Sequence, residues 1–271
     1  MTRLADLLAA TGAAGALIGM VHVGALPGSP KASESIDALA SRAVGEARML
    51  HQAGFDAIIV ENMHDTPYVH GEALGPEIVA SMARICAEIR MSVSLSMGVQ
   101  ILSGGARQAL AVAHASAGAM IRCENFVFSH VADEGLLVTA EAGSLLRYRR
   151  SIGAEHIAVL ADIKKKHASH AITADIPIDE AARAAAFFGA DGLIVSGVRT
   201  GAPADIADLR LVRGACELPI FVGSGVNADN IRETLELVSG VIVGSSIKVG
   251  GRWSNPVDPA RCRQVIKAAR G

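Results

Sequence analysis

Neither sign of charge accumulates in this chain of 271 residues. Its 25 Lys and Arg stand against 27 Asp and Glu, a formal net charge of −2. Without a basic surplus there is no electrostatic footprint of a nucleic-acid binder, and without an acidic tail one signature of disorder is missing. Cysteines are few and scattered. Cys86, Cys123, Cys216 and Cys262 include no C-x-x-C pair, so they read as reduced, mostly buried thiols of a cytoplasmic protein. No apolar run approaches the ~20 residues of a membrane span, so no membrane contact is expected. The opening "LLAATGAAGALIGMVHV" is a poor signal peptide. Only Arg3 supplies a basic n-region, Asp6 interrupts the start, and the second half reads as a strand.

What the chain does have is a repeat. Apolar residues make up 51% of it, enough for a large core. Short β-branched runs recur at 17–23, 56–62, 92–99, 119–125, 157–163, 192–197, 219–225 and 240–246. Several are apolar throughout, as in a parallel sheet covered by helices. Ala-rich segments with 3.6-residue periodicity lie between them, such as "IDALASRAVGEARMLHQAG", which Gly54 closes as a C-cap, and "GPEIVASMARICAEIR", with Pro76 in its first turn. "AGFDAIIV" and "GADGLIVSG" repeat the hand-over from helix to strand. Eight such units in roughly 250 residues predict a single-domain TIM (β/α)8 barrel, residues 1–271. A doubly wound sheet would want G-x-G-x-x-G after its first strand, and "VHVGALPGSP" is not that. The longest connection, about 126–156, is an insertion after strand four, expected to hold a short segment near "GLLVTA" and a helix through "SLLRYRRSI".

Two signals point to chemistry. Strands seven and eight end in Gly223-Ser224-Gly225 and Gly244-Ser245-Ser246. Such turns let backbone N–H groups approach an anion, at the place where many TIM barrels hold phosphate. The C-terminal ends of the other strands carry ionisable groups: His22, Glu61 with Asn62, Glu124 with Asn125, and Asp162 with Lys164 and His167. Arg199 and Thr200 follow strand six as candidate substrate contacts. In "DIKKKH", strand alternation puts Asp162 and Lys164 on one side, expected to be the barrel mouth, and leaves Lys165 and Lys166 as solvated loop charge. Glu61 or Glu124 would then be a base, Lys164 an electrophile, and Asp162 its orienter. His22, Glu61, Glu124, Asp162 and His167 could also ligate a divalent metal, although no H-x-H or H-x-x-x-H pair supports one.

The blocks "IGMVHVGALPGSP", "DAIIVENMHDTPY", "GVQILSGGARQALAVAHASAGAMIRCENF", "LADIKKKHA", "VGSGVNADNI" and "VIVGSSIKVGGRWSNPVDPARC" together resemble the BtpA/SgcQ family. The resemblance spans nearly the whole chain. It implies a TIM barrel related to ribulose-phosphate-binding barrels. One cyanobacterial branch of the family is linked to photosystem I biogenesis, and bacterial members are associated with sugar-utilisation operons. "D-I-K-K-K-H" is also similar to the D-x-K-x-x-D of orotidine-phosphate decarboxylase, but His167 stands where the second Asp would be, and a decarboxylase is not expected. The expected protein is an isomerase, epimerase or aldolase-type enzyme acting on a small phosphorylated sugar or related metabolite. A noncatalytic assembly factor that binds a phosphorylated ligand, and a phosphate-ester or nucleotide hydrolase, are the alternatives. A homo-oligomer is expected from the aromatic-poor helices, which are rich in small apolar residues.

Overall fold

The structure, a computed structural model, describes residues 3–197 and 199–271. In chain order its strands are β1 (Ala16–His22), β2 (Ala57–Glu61), β3 (Ser96–Gln100), β4 (Met120–Cys123), β5 (His130–Ala132), β6 (Gly135–Leu137), β7 (Ala158–Ile163), β8 (Ala168–Ser169), β9 (Gly192–Val195), β10 (Ile220–Val222) and β11 (Gly240–Val243). The helices are α1 (Arg3–Thr11), α2 (Ile36–Ala53), α3 (Pro76–Ser92), α4 (Ala106–Ala115), α5 (Ala142–Ser151), α6 (Ile178–Phe187), α7 (Ile206–Ala215), α8 (Ile231–Leu235) and α9 (Pro259–Arg270). β1, β2, β3, β4, β7, β9, β10 and β11 close a parallel barrel in that order. All eight strands read from sequence are present, and the fold is the TIM barrel those runs predict.

Local chemistry sets the element ends. The Ser35 side chain accepts the Ala38 N–H to open α2, and Gly54, at φ 98°, closes it in the left-handed conformation. Asp258 caps α9 through the Ala260 and Arg261 N–H groups. Along β1 the side chains alternate: Ala16, Ile18 and Met20 join a cluster inside the barrel, while Leu17 and Val21 pack outward under the helices.

Two features were not expected. α1 does not lie apart from the barrel; its Leu4 and Leu7 bury into the inner cluster and stopper the end opposite the mouth. Arg3 ties it there by donating to the Ala117 and Gly118 carbonyls. The insertion after β4 holds the short segment and the helix that its sequence suggests, as β6 and α5, but its strand pairing was not foreseen. β5 and β6 form a hairpin, β5 also pairs with β8 from the loop after β7, and α5 follows. Two rim loops are thereby joined into one small antiparallel sheet.

A buried ion pair fastens the last loop. Lys248, fully buried, lies 2.7 Å from Glu46 on α2, and the other Glu46 oxygen accepts the Val257 N–H. Glu46→Ala strands a buried ammonium, and the expected loss of stability is about 3–5 kcal/mol in urea unfolding. Replacing the pair together, Glu46→Leu with Lys248→Met, should recover most of that and leave about 1–3 kcal/mol for the orphaned Val257 N–H. A double variant no more stable than Glu46→Ala would contradict this account.

Candidate active site

The inward phase of the barrel strands continues into the mouth, where the residue type changes from apolar to ionisable. His22, Glu61 and Gln100 end β1, β2 and β3 in one row of the sheet register. With Arg122, Glu124, Lys165 and Lys166 they line a cavity of about 620 Å³ at the C-terminal ends of the strands. The Gln100 Oε1 atom is buried there without a hydrogen-bond partner among the described residues.

His22 and Glu61 form the first pair, 3.4 Å apart. The His22 Nδ1 atom lies 3.0 Å from the Trp253 carbonyl. Burial, reinforced by the Lys248 charge, lowers the His22 pKa to about 3 despite that hydrogen bond, so the ring is neutral. A neutral ring donating from Nδ1 presents Nε2 as an acceptor toward Glu61. Burial raises the Glu61 pKa to about 7, against the pull of the Arg122 and Lys166 charges. Near neutrality Glu61 can therefore hold or release a proton, as a general acid or base must.

Below this pair Arg122 grips Asp162 through two hydrogen bonds of 2.7 and 2.8 Å, both side chains buried. Beside it Lys165 lies 3.1 Å from Glu124 and 4.0 Å from Glu134 of the insertion hairpin. Burial would raise the Glu124 pKa, but the Lys165 charge and the Gly104 N–H outweigh it and hold the carboxyl below its ordinary value. Glu124 is thus a fixed anion, whereas Glu61 is poised to titrate. Lys166 also lines the cavity; burial, then repulsion from Arg122, lowers its pKa to about 8.

On the other side the cavity meets the loops after β10 and β11. Gly223, Ser224, Gly225, Gly244, Ser245 and Ser246 all line it. The hydroxyls of Ser224 and Ser246 are turned to the Ala202 and Val226 carbonyls. Among the described residues, the N–H groups of Gly225 and Val226 find no acceptor. Gly225 has φ 73°, and a Cβ there would strike the Ala202 carbonyl. The Arg261 guanidinium lines the same end and donates to the Ser246 carbonyl at 3.3 Å.

Some expected positions differ. Neither Asp162 nor Lys164 lines the cavity; both lie against a smaller pocket beside it. Lys164 follows the last residue of β7, and its left-handed φ of 46° ends the alternation on which the pairing was argued. Its Nζ donates to the Thr173 carbonyl at 3.4 Å, outside the cavity. The turn carries Lys165 and Lys166, expected to be solvated, into the mouth instead. Asp162 is oriented by Arg122, not by a lysine. Asn62 is spent on structure, bonding Asp65 and both backbone groups of Leu102. Asn125 donates to the Thr139 carbonyl of the insertion, and Arg199 is exposed; neither lines the cavity. His167 and Thr200 do line it, and they bond each other at 2.8 Å, joining the loops after β7 and β9. Sequence reasoning missed Glu134 and Trp253. Nothing in the local pattern marks either, because each reaches the mouth only through a long loop. Among the described residues, no three His, Cys, Asp or Glu side chains converge as metal ligands, and no helix is long and apolar enough to cross a membrane.

Fold and site define a (β/α)8-barrel protein with an ionisable cavity at the C-terminal ends of its strands. The chain belongs to the BtpA family, whose model matches residues 13–271. It is 44% identical to a mitochondrial protein of Caenorhabditis elegans, over 93% of this chain and 91% of that one. It is 35% identical to the photosystem I biogenesis protein BtpA of a Synechocystis strain, over 93% and 87% of the two chains. Among solved structures, tryptophan synthase from M. tuberculosis superposes with a TM-score of 0.62 at 16% identity, covering both chains fully, a likeness of fold.

Glu61 makes stability depend on pH. Its folded-state pKa of about 7 lies above its ordinary 4.5, so its contribution is present below pH 4.5 and lost as pH rises through 7. The difference corresponds to a loss on the order of 3 kcal/mol. Glu61→Gln should therefore gain stability relative to the parent as pH rises across that window. Unfolding free energy against pH measures it, and parallel curves for the two proteins would remove Glu61 as the titrating group.

Proposed function

We propose that this protein is an enzyme that binds a small phosphorylated metabolite, a sugar phosphate or close relative, and moves a proton beside its carbonyl. One observation carries the reading: one open cavity is lined on one side by backbone N–H groups that find no acceptor among the described residues, and on the other by a titrating carboxyl. The phosphate sits against Gly225, Val226 and the Ser245 turn, with Arg261 adding charge. Glu61 is the acid or base, and neutral His22 receives its proton's hydrogen bond. Lys166 supplies the cation that polarises the carbonyl, the role the sequence had assigned to Lys164. Isomerisation and epimerisation begin with this step, and retro-aldol cleavage ends with its reverse, protonation of the carbon beside the carbonyl.

The open, ionisable mouth favours an enzyme over an assembly factor of the kind that the Synechocystis relative's name describes. A plugged, apolar mouth would have favoured the reverse. Four free cysteines, three of them buried, support a reducing compartment such as the cytoplasm.

The test separates the two halves of the cavity. Arg261→Ala should weaken inorganic phosphate about tenfold, ~1.4 kcal/mol, in a thermal-shift titration. Glu61→Gln should leave phosphate affinity unchanged and lower kcat by about 10²–10⁴ on whichever phosphorylated aldose or ketose a substrate screen identifies. A protein whose melting temperature ignores both phosphate and the sugar phosphates would overturn the reading.

A further inference from the structure

The cavity contains a lysine that forms no ion pair among the described residues. Lys165 is paired with Glu124 and Glu134, and Lys248, behind the mouth, with Glu46. Lys166 lines the cavity, yet among the described residues no carboxylate lies within 4.0 Å of its Nζ. The nearby Asp162 carboxylate is held by two hydrogen bonds from Arg122. Its backbone is fixed, because the Lys166 N–H donates to the Ser196 hydroxyl at 3.1 Å. A half-buried amine near another cation and without a carboxylate at ion-pair distance is the arrangement that activates a lysine as a nucleophile.

We propose that Lys166 attacks the carbonyl carbon of the substrate and holds it as a Schiff base. This rests on the reading that the cavity takes a phosphorylated carbonyl compound, and it replaces a polarising cation with a covalent bond. The neutral Lys166 amine gives its lone pair to the carbonyl carbon, and the π pair moves to oxygen. That oxygen leaves as water, taking one proton from the Lys166 nitrogen and one from protonated Glu61. The products are a protonated imine and the Glu61 carboxylate, with atoms and charge balanced. The same carboxylate then removes the proton from the carbon beside the imine, giving an enamine and restoring Glu61 to its acid form.

The surrounding charges are suited to this. Arg122 repels the ammonium, while Glu61, Asp162 and Glu124 favour it; burial and Arg122 prevail, with the Lys166 pKa at about 8. About a tenth of the side chain is then free amine at pH 7, against on the order of one in three thousand for an ordinary lysine.

The experiment is reductive trapping. The intact protein is incubated with dihydroxyacetone phosphate or glyceraldehyde 3-phosphate and cyanoborohydride, and the modified lysines are located by peptide mass mapping. Lys166 should be labelled at least about tenfold faster at pH 7 than the exposed Lys31 and Lys267, a margin its larger free-amine fraction permits. The rate should level off above pH 8, inorganic phosphate should protect, and Lys166→Arg should lose the label. Labelling of Lys166 no faster than of Lys31, with both probes, overturns the proposal, and because it is read on the parent protein it does not depend on a variant folding. If phosphate raises the melting temperature while Lys166 stays unlabelled, the imine fails and the phosphorylated-substrate reading stands. Rapid labelling of Lys166 without phosphate protection supports the nucleophile and removes the phosphate cradle.

Discussion

Everything in the mouth is arranged around the clasp of Arg122 on Asp162. Two charges are buried at the level where apolar packing inside the barrel gives way to polar chemistry. They are tolerable there because the contact is bidentate and each neutralises the other. Room for the guanidinium comes from Gly223: a Cβ at that position would press Ile194 and stand 3.1 Å from an Arg122 nitrogen. Because Asp162 is committed to Arg122, the lysines above divide the remaining carboxylates unequally. Lys165 secures Glu124 and Glu134, and Lys166 secures none. The electrostatic asymmetry of the cavity follows from which partner the Asp162 carboxylate takes.

A second line of dependence runs from the outside of the barrel inward. Glu46 on α2 holds Lys248 and Val257, and the loop between those two residues carries Trp253. The Trp253 carbonyl sets the His22 ring, and its indole lies against both His22 and His64, with centroids 6.2 and 5.0 Å away. The tautomer of His22, and through it the hydrogen bond open to Glu61, thus depends on an ion pair on the far side of the sheet. The hairpin of the insertion acts similarly on the opposite rim, since Glu134 bonds the Ser103 hydroxyl and faces Lys165.

The barrel was legible because its cause is local and repeated: each buried parallel strand is an apolar run, and each covering helix has its own period and cap. The ionisable strand ends were legible for the same reason, and His22, Glu61 and Glu124 do meet in one cavity. Legibility ended where the strand ended. Alternation holds for extended backbone, and a single left-handed residue, Lys164, exchanges which lysines face inward without any mark in "DIKKKH". The small sheet of β5, β6 and β8 was hidden for a different reason. β8 is two residues long and pairs with a strand more than thirty residues earlier, a contact that short-range patterning does not encode.

The stopper helix α1 bears on how the molecule assembles. Its anchoring bond from Arg3 reaches Ala117, 114 positions along the chain, and its backbone also meets His156. The helix has nine residues, too few to persist alone in water. The inner cluster it joins is made of strand residues from around the barrel, including Met120, Ala158 and Ile242. Closing so long a loop costs entropy before any burial offsets it, so α1 has nothing to dock on until the strands have met. The segment nearest the start of the sequence is therefore a late event in folding, and the apolar lower end of the barrel stays open to water until it arrives.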